Sequence, residues 1–184
     1  VILASARQSA REHAVTMSFF SNIFDNSPAQ QAVTKATDEI LISFDWATAL
    51  DLADTVNSDP AIGKEVLKGI KKRMAHKEAK VQGYAVTLLE SLVKNCGAPF
   101  LAAVESKDFL PALLALATAP KTEQETRQQI AGVVSDGAAT GGADFVLARS
   151  QLQGLGFQFP ETAAPGGGAV SLLMPPSAAG GGGS

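Results

Sequence analysis

Apolar residues recur three and four positions apart through the middle of the chain, and this spacing predicts a series of amphipathic helices. Ser27-Pro28-Ala29-Gln30 forms a capping box with proline at the first helical position, and Asp45 is placed to cap the second helix. Thr122 and Glu125 form a second capping box, which opens the seventh helix. The pattern predicts helices over about residues 28–39, 46–56, 60–75, 78–95, 99–104, 107–117, 122–135 and 143–155.

No stretch alternates apolar and polar residues over a useful length, so the sequence predicts no strand. Gly97 and Gly156 follow the fourth and eighth predicted helices, where a left-handed glycine commonly ends a helix. Short connections imply antiparallel neighbours, and short helices joined in this way stack into a solenoid or superhelix. The expected fold class is therefore all-α.

The two ends of the chain differ in composition from the middle. Residues 1–26 are predicted to be a disordered N-terminal extension, and Met17-Ser18-Phe19-Phe20 within them resembles a native start; a targeting peptide is the alternative. Residues 161–184 are rich in glycine, proline and alanine, which predicts a flexible tail. An apolar island at 170–174 is either a chance feature or a docking motif. These boundaries leave residues 27–160 as the folded domain.

Composition narrows the possible functions. Hydrophobic residues make up 46% of the 184 residues, enough for a core, and the net charge of -3 argues against a nucleic-acid partner. Cys96, His13 and His76 are too few for a Cys/His zinc site, and the single cysteine fits a reducing compartment. No nucleotide-binding loop or catalytic constellation is present in the sequence. We therefore expect a non-enzymatic protein with no cofactor, no metal site and no catalytic residue.

The second predicted helix carries two large apolar residues at the edge of its apolar face. Its contiguous apolar stripe is formed by Ala49, Leu52, Ala53 and Val56. Trp46 and Leu50 fall about 60–100° from the centre of that stripe, beside positions that prefer water. Either the tryptophan packs against the first helix, or Trp46 and Leu50 form a small apolar binding patch with a polar rim.

The third helix carries a local excess of positive charge. Lys64, Lys68, Lys71 and Lys72 share one face of this helix, while its apolar residues turn inward. A solvated helix face is one interpretation, and attraction to anionic phosphoinositide headgroups is the other. Nucleic acid is a weaker alternative because no aromatic side chain is interleaved with these lysines.

The segment from His76 to Gly97 resembles the fourth helix of a VHS domain of the Hrs and STAM type. Its ending, Leu92-Val93-Lys94-Asn95-Cys96-Gly97, is the most specific part of the resemblance. Further motifs occur in the family's order: Ala36-Thr37, Asp45-Trp46, Ile70-Lys71-Lys72-Arg73, Ser106-Lys107-Asp108-Phe109 and Gly156-Phe157-Gln158-Phe159-Pro160.

The resemblance implies a right-handed superhelix of eight helices that serves cargo sorting at endosomes. It also implies weak ubiquitin binding through a tryptophan and a leucine one turn later, positions that Trp46 and Leu50 match. The expected function is a ubiquitin-binding adaptor in the cytoplasm, peripheral on endosomal membranes; the alternative is a phosphoinositide-binding membrane adaptor.

Two departures from the family pattern affect this interpretation. Golgi-type members hold dileucine signals between their sixth and eighth helices, and this chain does not reproduce the residues of that groove. The family's seventh helix commonly carries a core tryptophan near its end, where this chain has Val134-Ser135-Asp136-Gly137. Because Gly141 and Gly142 follow closely, the sequence predicts a loosely packed last third.

Overall fold

The computed structural model describes residues 27–159, and within that range the chain forms eight α-helices and no β-strand. The helices are α1 Pro28–Ala36, α2 Trp46–Ser58, α3 Ile62–Met74, α4 Ala79–Asn95, α5 Ala98–Val104, α6 Leu110–Thr118, α7 Gln124–Ala139 and α8 Ala143–Gly154. The all-α prediction is confirmed. The predicted N-terminal extension and glycine-rich tail lie outside the described residues. None of the helices between residues 27 and 159 is long and apolar enough to cross a membrane.

Two helix starts follow their local sequence. The Ser27 hydroxyl oxygen accepts the backbone N–H of Gln30 at 3.3 Å, as the predicted cap requires. Asp45 caps α2 by accepting the Thr48 N–H at 3.0 Å. The Gln30 amide does not close a reciprocal capping box, because it is buried and donates to Glu65 instead.

Other predicted helix ends are wrong, because the side chains or backbone groups at these positions adopt other hydrogen bonds or conformations. The helix α3 begins at Ile62 rather than Pro60, since the Asp59 carboxylate accepts the Ala61 N–H and holds residues 59–61 in a turn. Thr122 does not cap α7, because its buried hydroxyl donates to the Leu116 carbonyl at 2.6 Å. The sequence predicts a left-handed Gly97, but its backbone is extended, with φ of −76°.

Two smaller boundary shifts occur, and one predicted helix end is confirmed. The first helix ends at Ala36 rather than residue 39, and the Thr37 carbonyl accepts the Arg73 guanidinium at 2.7 Å instead of the N–H of a further helical turn. The sixth helix begins at Leu110, after residues 107–109 form a turn, and Ser106 provides no side-chain cap. Gly156 closes the last helix with φ of +87°, as predicted.

The helix α4 lies at the centre of the described fold and packs against α1, α2, α3 and α7. This position explains its apolar character, since an amphipathic helix with partners on several sides must bury most of its circumference. Buried residues of α4 are Val81, Ala85, Val86, Leu88, Leu89, Ser91, Leu92 and Val93. Because α2 and α3 both pack against α4, this helix sets their positions relative to each other.

The prediction of a loosely packed last third is wrong. Phe145 of α8 is completely buried, and its ring lies against Gly137 of α7. A Cβ atom added at Gly137 would lie 2.5 Å from the Phe145 ring, so glycine is what admits the phenylalanine. An aromatic ring from the neighbouring helix is thus packed tightly against the end of α7.

Candidate docking surface

The N-terminal turn of α2 presents Trp46 and Leu50 side by side. They lie one helical turn apart, so their side chains share a face. Trp46 is 49% exposed and Leu50 is 50% exposed, whereas the predicted apolar stripe of α2 is buried. The prediction that the core covers Trp46 and Leu50 only in part is therefore confirmed. Whether ubiquitin binds there stays a prediction.

Asp45 sets the position of the tryptophan. Its carboxylate accepts the Thr48 backbone N–H at 3.0 Å and the Thr48 hydroxyl at 2.6 Å, which fixes Trp46 as the first residue of α2. These hydrogen bonds, that of the Thr48 side chain foremost, lower the pKa of Asp45 below its ordinary value because they stabilise the charged carboxylate. Near neutral pH, Asp45 is therefore a charged cap at the positive end of the helix dipole.

The indole of Trp46 packs against an aromatic cluster, formed with Phe44 and Tyr84, that sequence analysis missed. The Phe44 and Trp46 ring centroids are 4.9 Å apart with the rings nearly perpendicular, and Phe44 lies 5.8 Å from Tyr84 of α4. The Lys80 ammonium lies 5.7 Å from the Tyr84 ring centroid. Through Phe44 the surface of α2 continues onto α4. The sequence signal that could have indicated this cluster is Phe44, an aromatic residue two positions before Trp46.

The predicted lysines all lie on the exposed face of α3. Lys71 donates to the Asp108 carbonyl at 2.8 Å, Lys72 lies 3.3 Å from the Gln30 side-chain oxygen, and Lys68 lies 3.8 Å from Glu65. The contacts of Lys71 and Lys72 reach neighbouring elements, whereas the contact between Lys68 and Glu65 lies within α3. The inward residues Val66, Leu67, Ile70 and Met74 are buried, as the helical pattern predicted.

Three of these lysines line one groove. Lys64, Lys68 and Lys71 face a cavity of about 540 Å³ between α3 and the α5–α6 connection. Leu67, Ala103 and Phe109 supply apolar lining, while Glu65 and Asp108 contribute two acidic groups. Lys72 does not line this cavity. The sequence predicted a charged face, and the structure adds a concave site with an apolar component.

Comparison with known proteins agrees with this architecture. The family model of the VHS domain matches residues 25–136, which is more than half of the chain. This chain belongs to the VHS domain family. The match includes α1 to α6 and most of α7, and thus both Trp46 and the α3 lysines.

The VHS chain is similar to a TOM1-like protein and to a class E vacuolar protein-sorting machinery protein. It is 36% identical to TOM1-like protein 6 of Arabidopsis thaliana over 73% of this chain and 21% of that protein. It is 39% identical to the class E vacuolar protein-sorting machinery protein HSE1 of Yarrowia lipolytica, over 59% of this chain and 16% of that protein. The chain therefore spans about a fifth or less of the length of these relatives.

A solved structure supports the same fold. The VHS and FYVE tandem domains of Hrs, described as a protein involved in membrane trafficking and signal transduction, match with a TM-score of 0.64 and 25% identity. The match covers 75% of this chain and 65% of that chain.

Cys96 and His76 both make contacts within the described fold. Cys96 is buried, and its thiol points at the Ala53 carbonyl at 3.9 Å. Burial, together with the Asp54 carboxylate, raises the pKa of Cys96 to about 11, so the thiol is protonated near neutral pH. His76 joins α3 to α4: its backbone N–H donates to the Arg73 carbonyl at the end of α3, and its Nδ1 atom accepts the Glu78 N–H at the start of α4. Within residues 27–159, no cluster of three or more His, Cys, Asp or Glu side chains could hold a metal.

Proposed function

We propose that this VHS domain is a ubiquitin-binding adaptor module that acts in the sorting of membrane-protein cargo on endosomes, at their cytoplasmic surface. The observation that carries the proposal is the pair Trp46 and Leu50, each half-exposed on one face of α2. The similarity to HSE1, a vacuolar protein-sorting machinery protein, and to Hrs, a protein involved in membrane trafficking, favours the same cellular process.

The size of the patch predicts weak binding. Half of an indole leaves about 100 Å² to be covered by a partner, which contributes roughly 2–3 kcal/mol before the costs of association. Leu50 adds a smaller amount because its side chain is smaller and also half-covered. Trp46 and Leu50 alone fall short of the roughly 4–5.5 kcal/mol that a dissociation constant of about 0.1–1 mM requires, so neighbouring contacts must supply the rest of the binding free energy. We expect an affinity in that range at best, strengthened in the cell by several ubiquitins or additional modules.

An NMR titration of the isotope-labelled chain with ubiquitin tests this proposal. Amide shifts should concentrate on α2 and on α4 near Tyr84. Trp46→Ala and Leu50→Ala should each abolish or strongly reduce the shifts, while Leu155→Ala, which truncates another exposed leucine, should leave them unchanged. Each variant removes a partly exposed side chain, so we expect the fold to persist. Unchanged shifts in folded Trp46→Ala would show that ubiquitin does not use this site.

A second candidate function is binding to phosphoinositide headgroups, and the α3 groove favours it. Lys64, Lys68 and Lys71 surround the groove, where they offer three cations to a phosphorylated ring while Leu67 and Phe109 supply apolar contact. Each cation near an anionic surface contributes about 1 kcal/mol, an attraction that salt weakens. Glu65 and Asp108 reduce this attraction, so the net effect is smaller than the sum of three lysines.

Vesicle sedimentation separates the two functions. Lys64→Glu with Lys68→Glu, or Lys68→Glu with Lys72→Glu, should reduce binding to phosphoinositide-containing vesicles and leave the ubiquitin titration unchanged. The single substitution Lys121→Glu, on an exposed lysine outside the groove, serves as the control for the single substitution Lys68→Glu, so that the two variants change the net charge equally. If Lys121→Glu weakens vesicle binding as strongly as substitutions in the groove, the attraction is unspecific and the groove is no headgroup site.

A further inference from the structure

The α3 groove contains a carboxylate that a buried side chain holds in place. Gln30 of α1 is only 3% exposed, and its side-chain amide donates to the Glu65 Oε2 atom at 2.8 Å. The Gln30 side-chain oxygen lies 3.3 Å from the Lys72 ammonium, so both ends of the buried amide have partners. Because a buried polar group that loses its hydrogen bond costs free energy, Glu65 cannot leave Gln30 without a penalty.

Glu65 lies among the cations that make this groove a candidate headgroup site. It lines the groove together with Lys64, Lys68 and Lys71. Its Oε1 atom is 3.8 Å from the Lys68 ammonium. Asp108 is a second acid of the lining, and its backbone carbonyl accepts the Lys71 ammonium at 2.8 Å. The groove therefore offers cations and hydrogen-bond acceptors within one cavity.

This combination is unfavourable for a ligand that consists of phosphate alone. Such a ligand is attracted by the lysines, but the Glu65 carboxylate repels it, since like charges oppose each other at short range. A fully ionised phosphate also has no proton to donate to a carboxylate. A hydroxyl group does donate, and each carboxylate oxygen accepts more than one hydrogen bond, so Glu65 can accept a hydroxyl while it remains bound to Gln30.

We propose that Glu65 is a specificity-determining residue of the α3 groove, which selects a phosphorylated ring with free hydroxyl groups over a bare phosphate. The lysines pair with the phosphates of such a ring, and the Glu65 carboxylate accepts a neighbouring hydroxyl in a charge-assisted hydrogen bond. An inositol headgroup supplies both groups, whereas inorganic phosphates and phosphatidic acid have no such ring. The inference rests on the proposed phosphoinositide binding, to which it adds the selecting residue, and it does not depend on ubiquitin binding.

NMR titrations of the whole chain with inositol trisphosphate and with inorganic tripolyphosphate test this selection. Glu65→Gln removes the charge and keeps a side-chain oxygen that can accept the Gln30 amide, so we expect the fold to persist. The variant should bind tripolyphosphate more tightly and gain less for inositol trisphosphate. The ratio of the two affinities should therefore fall by about threefold to tenfold, as expected for one charge-assisted hydrogen bond. Glu125→Gln, at an exposed acid outside the groove, should leave the ratio unchanged.

The outcomes separate this inference from the function on which it rests. If Glu65→Gln strengthens both ligands equally while Lys64→Glu with Lys68→Glu abolishes binding, the lysines bind phosphate and Glu65 does not select. If neither ligand binds wild type, or both bind the double lysine variant normally, phosphoinositide binding in the groove fails, and selection by Glu65 fails with it.

Vesicle sedimentation distinguishes a lipid headgroup from a soluble inositol phosphate. Wild type should prefer vesicles with phosphatidylinositol bisphosphate to vesicles of equal charge with phosphatidic acid, and Glu65→Gln should lose about threefold to tenfold of this preference. Competition by soluble inositol trisphosphate at equal headgroup concentration shows which source binds more tightly. The same preference for both lipids in wild type and Glu65→Gln would overturn the proposal.

Discussion

Gly137 and Gly132 lie on the same helix, α7, and the structure predicts opposite effects for the same substitution at the two positions. Alanine at either position gains about 1 kcal/mol in helix propensity. At Gly137 the new methyl group would approach the buried Phe145 ring to 2.5 Å, closer than real Cβ atoms come to other groups. At Gly132 nothing lies within 4 Å of an added methyl group.

The expected magnitudes follow from these distances. Overpacking a well-filled core costs about 1–3 kcal/mol, so Gly137→Ala should be neutral to about 2 kcal/mol less stable after the gain in propensity. Gly132→Ala should be about 0.5–1 kcal/mol more stable, because it has the gain without the clash. The free energy of unfolding should therefore differ by about 1–3 kcal/mol between the two variants.

Urea unfolding of both variants, followed by far-UV circular dichroism, measures this difference. Phe145→Leu in the Gly137→Ala background should recover part of the loss, because a leucine can move away from the new methyl group. If Gly137→Ala is as stable as Gly132→Ala, Phe145 does not pack against Gly137 as described, and the account of the α7–α8 interface is wrong.

Three further predictions concern the neighbourhood of α2. Asp45→Ala should cost about 1 kcal/mol of unfolding free energy at neutral pH. Because the folded-state pKa of Asp45 is lowered, its contribution to stability is present above the ordinary pKa of 3.8 and is lost as the pH falls through the lower folded-state pKa. The free energy of unfolding, measured against pH for wild type and Asp45→Ala, checks this. If the two proteins show the same dependence on pH, the prediction is contradicted. Cys96, with its pKa raised to about 11, should react with iodoacetamide near neutral pH about a hundredfold more slowly in the native chain than in urea, and equal rates would refute its burial. Phe44→Ala should change the emission of Trp46, the sole tryptophan of the chain, and weaken ubiquitin-induced shifts without abolishing them; unaltered emission would contradict the ring contact.

Features that depend on neighbours in sequence could be predicted. Ser27 and Asp45 cap their helices because a short side chain reaches a backbone N–H three residues later, whatever the rest of the fold does. The position of Trp46 at the margin of α2 follows from helical geometry, and the 49% exposure of its side chain agrees with it.

Features decided by distant residues could not be predicted. Thr122 carries the sequence signature of a cap, yet its hydroxyl binds a carbonyl in the preceding helix. The ring of Phe145 is buried against Gly137, and only the packing of α7 on α8 reveals this contact. Phe44 and Tyr84 meet because α2 packs on α4, which no spacing along the chain encodes.

The measurement that most directly tests the central claim is the ubiquitin titration of wild type, Trp46→Ala and Leu155→Ala under identical conditions. The account predicts saturable amide shifts around α2 in wild type and Leu155→Ala, with an affinity on the order of 0.1–1 mM, and no such shifts in a folded Trp46→Ala. Wild-type shifts that are absent, or that persist in Trp46→Ala, would contradict it.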